Sequence, residues 1–157
     1  MLDIAVHIAE AAACALFAAS VATDVCRREV PNAVPLLLLG LFAVYAATGA
    51  VRPVSDLWQH LAVGGIVLAA GFGLFLTGRF GAGDAKLLAA AGVWIGPVLS
   101  HLPLFLLSMA AFSLALCMAA LLPFERMRRM RKELPFAVAI APPAVIVLTL
   151  RALSDGI

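Results

Sequence analysis

The chain has 157 residues, 64% of them hydrophobic and only 13% charged, with a mean hydropathy of +1.09. A soluble domain is about half apolar and about a quarter charged, so the composition excludes one and implies an all-α integral membrane protein. The 157 residues leave no room for a separate soluble module and read as one domain, 1–157; the formal charge of +2 gives no reason to expect a nucleic-acid partner.

A bilayer core takes roughly 20 apolar residues of helix. In chain order, six transmembrane segments are predicted at 4–23, 34–51, 57–77, 85–99, 102–123 and 136–153. The start Met1-Leu2-Asp3 lacks the positive region of a cleaved signal, so the first segment is read as a retained helix. It is followed by Arg27-Arg28-Glu29-Val30 and a Pro31-Asn32 break, in which Asn32 is placed to cap the second helix and Pro35 to fit its first turn. Arg52-Pro53 separates the second and third segments. Gly64, Gly71 and Gly78 recur every seven residues along the third, a small-residue face suited to close helix packing. A glycine-rich break over 78–83 opens the fourth, which at about 1.5 Å per residue is short for a 30 Å core. Its glycine-rich start is therefore expected in a water-accessible pocket, the setting in which non-helical backbone is tolerated at membrane depth. Ser100-His101 and Pro103 turn the chain into the fifth segment, and a charged loop over 125–133 leads to the sixth.

Orientation follows from Lys and Arg. Arg27, Arg28, Arg79, Lys86, Arg126, Arg128, Arg129, Arg131 and Lys132 follow the odd-numbered segments, whereas only Arg52 and Arg151 fall on the other side. Both termini are expected outside and these three connections in the cytoplasm. The cluster over 126–132 reads as a topology signal that also touches anionic lipid.

Asp24 and Asp84 then share the cytoplasmic face, although 60 positions separate them. A carboxylate at the edge of a lipid core costs several kcal/mol unless compensated, so each is a candidate functional residue. Two close carboxylates cannot both ionise cheaply and share one proton. The ionised member can take a proton from water while the protonated member polarises a carbonyl and helps an amine leave. Gly81 and Gly83 can admit strained backbone and let a peptide strand lie beside Asp84. Structural alternatives exist for each residue. Asp84 can cap the fourth helix, Asp24 can pair with Arg27 or Arg28, and Lys86 can anchor at the interface rather than tune the pair or bind substrate. His7, Glu10 and His60 lie toward the outer ends of the first and third segments, where packing or interfacial roles suit them. Cys14, Cys26 and Cys117 are odd in number with no Cys-x-x-Cys pair, which speaks against a zinc ribbon or disulfide framework; Cys14 and Cys117 read as small core residues. No metal or cofactor is expected.

These residues resemble three motifs of the type IV prepilin peptidases, membrane aspartic proteases of the GxGD type. Asp24 with Val30-Pro31-Asn32 resembles the first, Gly81-Ala82-Gly83-Asp84-Ala85-Lys86 the second (GxGDxK), and 134–142, Leu134 to Pro142, the last-helix pattern, with Ala137-Val138 where the family often has Gly-Pro. The resemblance implies a six-helix peptidase of the bacterial inner membrane with Asp24 and Asp84 as its catalytic pair. Gly81, Gly83, Lys86, Pro31 and Asn32 would position substrate or support the pair. Its partners would be the leader peptide and hydrophobic helix of a type IV prepilin or pseudopilin, with membrane lipid around it, and cleavage would occur at the cytoplasmic face. The size resembles the short peptidases of Tad/Flp-type pilus systems. Larger relatives carry a four-cysteine zinc extension at the N-terminus and N-methylate the new terminus; with no counterpart in these 157 residues, methyltransferase activity is not expected.

Two other classes compete. A small proton-coupled transporter would want ionisable groups near helix midpoints, where this chain has mainly Glu10. A non-catalytic assembly subunit of a pilus or secretion machine would be expected to have lost one of the aspartates, and both are present.

Overall fold

The computed structural model describes residues 2–27, 29–51, 54–76, 81–96 and 137–155, all-helical apart from the links. The expected fifth segment, the charged loop after it and Leu134-Pro135-Phe136 lie outside the described residues, as do Arg28, Arg52, Gly78, Arg79 and Cys117.

Five helices are seen among the described residues. Helix α1 runs Leu2–Arg27, uninterrupted because it contains neither glycine nor proline. It extends past the predicted end at residue 23, so Asp24 lies in its last turn. Helix α2, Ala33–Ala47, stops earlier than predicted, where Thr48 returns its hydroxyl to the Tyr45 carbonyl at 2.6 Å and Gly49 adopts φ 82°. Left-handed backbone of this kind suits glycine at a helix C-terminus. Helix α3 is Val54–Leu76, with Asp56 in its first turn. Helix α4 is Ala82–Ile95, displaced toward the N-terminus from the predicted 85–99. Gly96, at φ 67°, closes it by donating to the Gly92 carbonyl at 2.9 Å, and Pro97 follows directly in the sequence. Helix α5, Ala137–Asp155, carries Pro142 and Pro143 internally, which withdraw two amide donors from its hydrogen-bond ladder.

The shortest helix, α4, is the central one. It packs on α3, α2 and α5, while α1 lies against α5 and α2. Almost every α4 residue from Ala85 to Ile95 is buried or half-buried, Lys86 being the exposed exception. The α3–α4 contact is made by small residues. A side chain at Gly64 would run into Val93 and one at Gly71 would come within 3.2 Å of Ala85; a Cβ at Gly92 would meet Val67 at 3.3 Å. The predicted seven-residue glycine face is thus realised at Gly64 and Gly71 as close backbone approach, the packing that stands in for a hydrophobic drive between helices in lipid.

Bulky apolar side chains point outward instead: Ile8 on α1, Leu36 and Val44 on α2, and Trp58, Ile66 and Phe72 on α3 are all more than half exposed. Water-soluble monomers rarely expose contiguous apolar patches of this kind. Among the described residues two helices, α1 over Ile4–Arg27 and α3 over Asp56–Leu76, are long and apolar enough to cross a bilayer; α2 and α5 contain shorter apolar stretches. The architecture is compatible with a membrane protein.

Candidate active site

Asp24 is 7% exposed in the last turn of α1. Its own helix dipole opposes a negative charge at that position. The compensation comes from another helix: the backbone N–H of Ala137, the first residue of α5, donates to Asp24 Oδ2 at 2.9 Å. The carboxylate therefore sits at the positive end of α5, where free amide donors and the dipole both favour an anion.

Asp84 also lies at a helix N-terminus, its own. It is not the cap of α4: Gly81 holds that position in extended backbone, φ −76° and ψ 143°, and Asp84 is three residues further on. From there its carboxylate folds back over Gly81, so closely that a Cβ at Gly81 would stand 2.6 Å from Asp84 Oδ2. This is the return half of a capping box. The Asp84 carboxyl, ahead of the apolar run that starts at Ala85, is pushed up to about 6. Burial is the main cause and the negative charge of Asp24 the second, against a hydrogen bond from the Gly81 backbone. The fold thus brings Asp24 close enough for its charge to act on Asp84.

The two glycines of the Gly81-Ala82-Gly83-Asp84 run are explained by space rather than strain. Neither has positive φ. The room that a side chain would need at Gly81 is taken by the Asp84 carboxylate, and at Gly83 by Val30, whose carbonyl oxygen would be 3.0 Å from an added Cβ. The expected strained backbone is absent at both.

A second tie joins the same two segments. Lys86 Nζ donates to Asn32 Oδ1 at 2.8 Å. Asn32 occupies the N-cap position of α2, as predicted, yet its side chain makes no capping hydrogen bond; it is turned to Lys86 instead. Val30 against Gly83 and Asn32 with Lys86 therefore fasten the α1–α2 link to the first turn of α4.

The family model of the type IV leader peptidase family matches residues 11–150, nearly the whole chain and including Asp24, Asp84 and Ala137. The chain belongs to that family. Neither a curated protein nor a solved structure matches it. As a member of the type IV leader peptidase family it is a peptidase, of the aspartic type that this family represents, and prepilins are the substrates the family implies.

For a leader peptidase, the residue that sequence reasoning missed is Ala137. Its contribution is a backbone amide, which motifs written in side chains do not register. The departure from Gly-Pro at Ala137-Val138 leaves that donor in place, because any residue except proline supplies it. The only sequence signal is Pro135-Phe136 immediately before it, since a proline is common where a helix begins.

The polar residues expected toward the opposite side are His7, Glu10 and His60. On α1, His7 Nδ1 lies 3.5 Å from Glu10 Oε2, and Glu10 is buried. His60 on α3 is engaged with α4: its Nδ1 is 2.7 Å from the Val93 carbonyl, its ring lies 5.3 Å from that of Phe42, and a side chain at Gly96 would collide with it.

Proposed function

We propose that this peptidase is a membrane-embedded aspartyl endopeptidase in which Asp24 and Asp84 activate water to remove the leader of a type IV, Flp-like prepilin or pseudopilin. The bond cut lies at the cytoplasmic face of the bacterial inner membrane, just ahead of the substrate's apolar helix. The chain crosses that membrane six times with both termini outside, as the distribution of Lys and Arg supports.

The observation that supports this reading is a pair of carboxyls from distant parts of the chain, each beside a helix N-terminus, with the charge of Asp24 among the causes that raise the Asp84 carboxyl. The pair holds one proton between its members, because the second ionisation is opposed by the first charge. The charged carboxylate removes a proton from the attacking water. The protonated carboxyl hydrogen-bonds to the scissile carbonyl, and as the tetrahedral intermediate collapses a proton passes to the leaving amine. The pair titrates as a unit, so neither aspartate alone is assigned the proton. Gly83, Asn32 and Lys86 hold the pair in register through the two ties described above, Gly81 leaves room for the Asp84 carboxylate, and Pro31 lies in the same link between Val30 and Asn32.

The test is cleavage of an Flp-type prepilin in membranes containing wild type, Asp24→Asn or Asp84→Asn, each present at equal level. Asparagine keeps the size of the side chain but cannot ionise. Loss of at least about a thousandfold in rate is expected for each. Near-full cleavage by either variant would remove that aspartate from the mechanism.

A further inference from the structure

Helix α5 is continuous over Ala137–Asp155 although two adjacent prolines, Pro142 and Pro143, stand inside it. In an α-helix each amide donates to the carbonyl four positions back. Proline has no amide donor, so the carbonyls of Val138 and Ala139 lose their ladder partners. Of the carbonyls of Ala137, Val138 and Ala139, only the first keeps one, the amide of Ala141. The side chains of this turn are short: Ala137, Ala139 and Ala141 are buried, and Ile140 is the one large side chain buried with them. Beyond the prolines, Ala144, Val147 and Leu148 are buried in the body of the helix. The thinly joined turn is the one that reaches the site, since its Ala137 N–H donates to Asp24 Oδ2 at 2.9 Å. Asp24 itself stands on α1, which contains neither glycine nor proline and keeps every donor of its ladder. Buried carbonyls withdrawn from a ladder are costly, and alanine at 142 and 143 would restore both donors. A local rule broken next to a reacting group points to function rather than stability.

We infer that Pro142 and Pro143 are positioning residues that hinge the first turn of α5 on the rest of the helix, so that the Ala137 amide follows the Asp24 carboxyl through the reaction; the inference rests on the reading of Asp24 as one of the reacting pair. An amide donates more strongly to a charged carboxylate than to a protonated one. During a turnover the aspartates take a proton from water and return one to the leaving amine, so the charge facing Ala137 changes. A donor fixed in a complete ladder would favour one arrangement of that charge throughout. A donor on a hinged turn adjusts its distance as the charge comes and goes, while α1 keeps the acceptor in place. The prolines thus act on Asp24 through Ala137, without contact with the substrate.

The experiment completes the ladder with Pro142→Ala and Pro143→Ala together in the full-length enzyme. Alanine is the best helix former, so the unfolding midpoint in micelles is expected to hold or rise. Amide hydrogen exchange, read residue by residue in the same micelles, reports the hinge without reference to activity. The Ala141 amide is expected to exchange at least about tenfold more slowly than in wild type, and the Leu148 amide at its wild-type rate. For an Flp-type prepilin, kcat is expected to fall roughly three- to tenfold with KM unchanged, a loss no larger than that of removing the Ala137 amide. In an Ala137→Pro background the two alanines should cause no further loss, because the donor through which the prolines act is gone. Unchanged exchange at Ala141 would overturn the hinge. Slower exchange with an unchanged kcat, or an equal fall in kcat in both backgrounds, would overturn the positioning role. A lowered midpoint would make the prolines packing residues and overturn it too. A wild type that shows the hinge by exchange but cuts no prepilin would sink the proposed function and leave the hinge standing.

Discussion

The two ends of α4 are held by different physics. At the C-terminal end, Trp94 is buried among Phe42 and Tyr45, with ring centroids 5.7 and 5.3 Å away, and donates its indole N–H to the Leu38 carbonyl at 2.9 Å. His60 and Gly96 complete a close-packed plug. At the N-terminal end no large rings pack together among the described residues. Asp84, Gly81, Gly83 and Lys86 meet Asp24, Val30 and Asn32 through a carboxyl, amide donors and missing side chains. The aromatic end stabilises the helix by burying area that water or lipid cannot replace. The acidic end fixes geometry with few atoms. On the proposed reading, stability and chemistry are separated along one short helix, so each can be broken without the other.

Substitutions that test this separation can be ordered by expected effect. Trp94→Ala should cost about 3–5 kcal/mol, read as a lowered unfolding midpoint in micelles; any enzyme that remains folded should still cleave. A stable but inactive Trp94→Ala protein would erase the distinction between the ends. Gly81→Ala should do the reverse. Its backbone conformation admits alanine, but the added methyl must displace the Asp84 carboxylate. A shift of about 1 Å in a reacting group costs about a hundredfold in rate, with little change in the unfolding midpoint.

Ala137→Pro sharpens the comparison further. It removes the amide that donates to Asp24 at a position, the first of a helix, where proline is otherwise well accepted. Hydrogen bonds to charged groups contribute about 1.5–3 kcal/mol, so a rate loss of about tenfold or somewhat more is expected, while Ala137→Gly, which keeps the N–H, should stay near wild type. Equal activity of the two would mean that Asp24 does not depend on α5. The smallest effect is expected from Asn32→Ala. The Lys86 contact is exposed, so its loss should change stability by about 1 kcal/mol or less and cleavage by less than about tenfold, measured on the same prepilin.

Much of this was legible in the chain itself. The glycine face on α3 was readable because Gly64 and Gly71 recur at a helical interval, and both pack as that interval implies. Helix ends were less so: the length of an apolar run does not locate the last turn, and the actual stops at Thr48-Gly49 and Gly96 depend on backbone that turns left-handed at a glycine. Asn32 was recognisable as the N-cap position but not as the partner of Lys86, because capping is local and the observed bond spans 54 positions. Asp84 was recognisable as a helix-start acid, but its return over Gly81 depends on where the first turn of α4 begins.

What the sequence by itself determined is therefore the part governed by neighbours along the chain. It defined an apolar helical protein, the turns at its glycines and prolines, and two acids where such acids are costly; the order of the motifs resembled the family to which the chain belongs. Only the tertiary structure decided what offsets those costs. Asp24, at the wrong end of its own helix, is stabilised by an amide 113 positions away, and the gaps at Gly81 and Gly83 are filled by Asp84 and Val30. Those partners are backbone groups and absent side chains, which leave no residue type to read and acquire meaning only when distant segments are brought into contact.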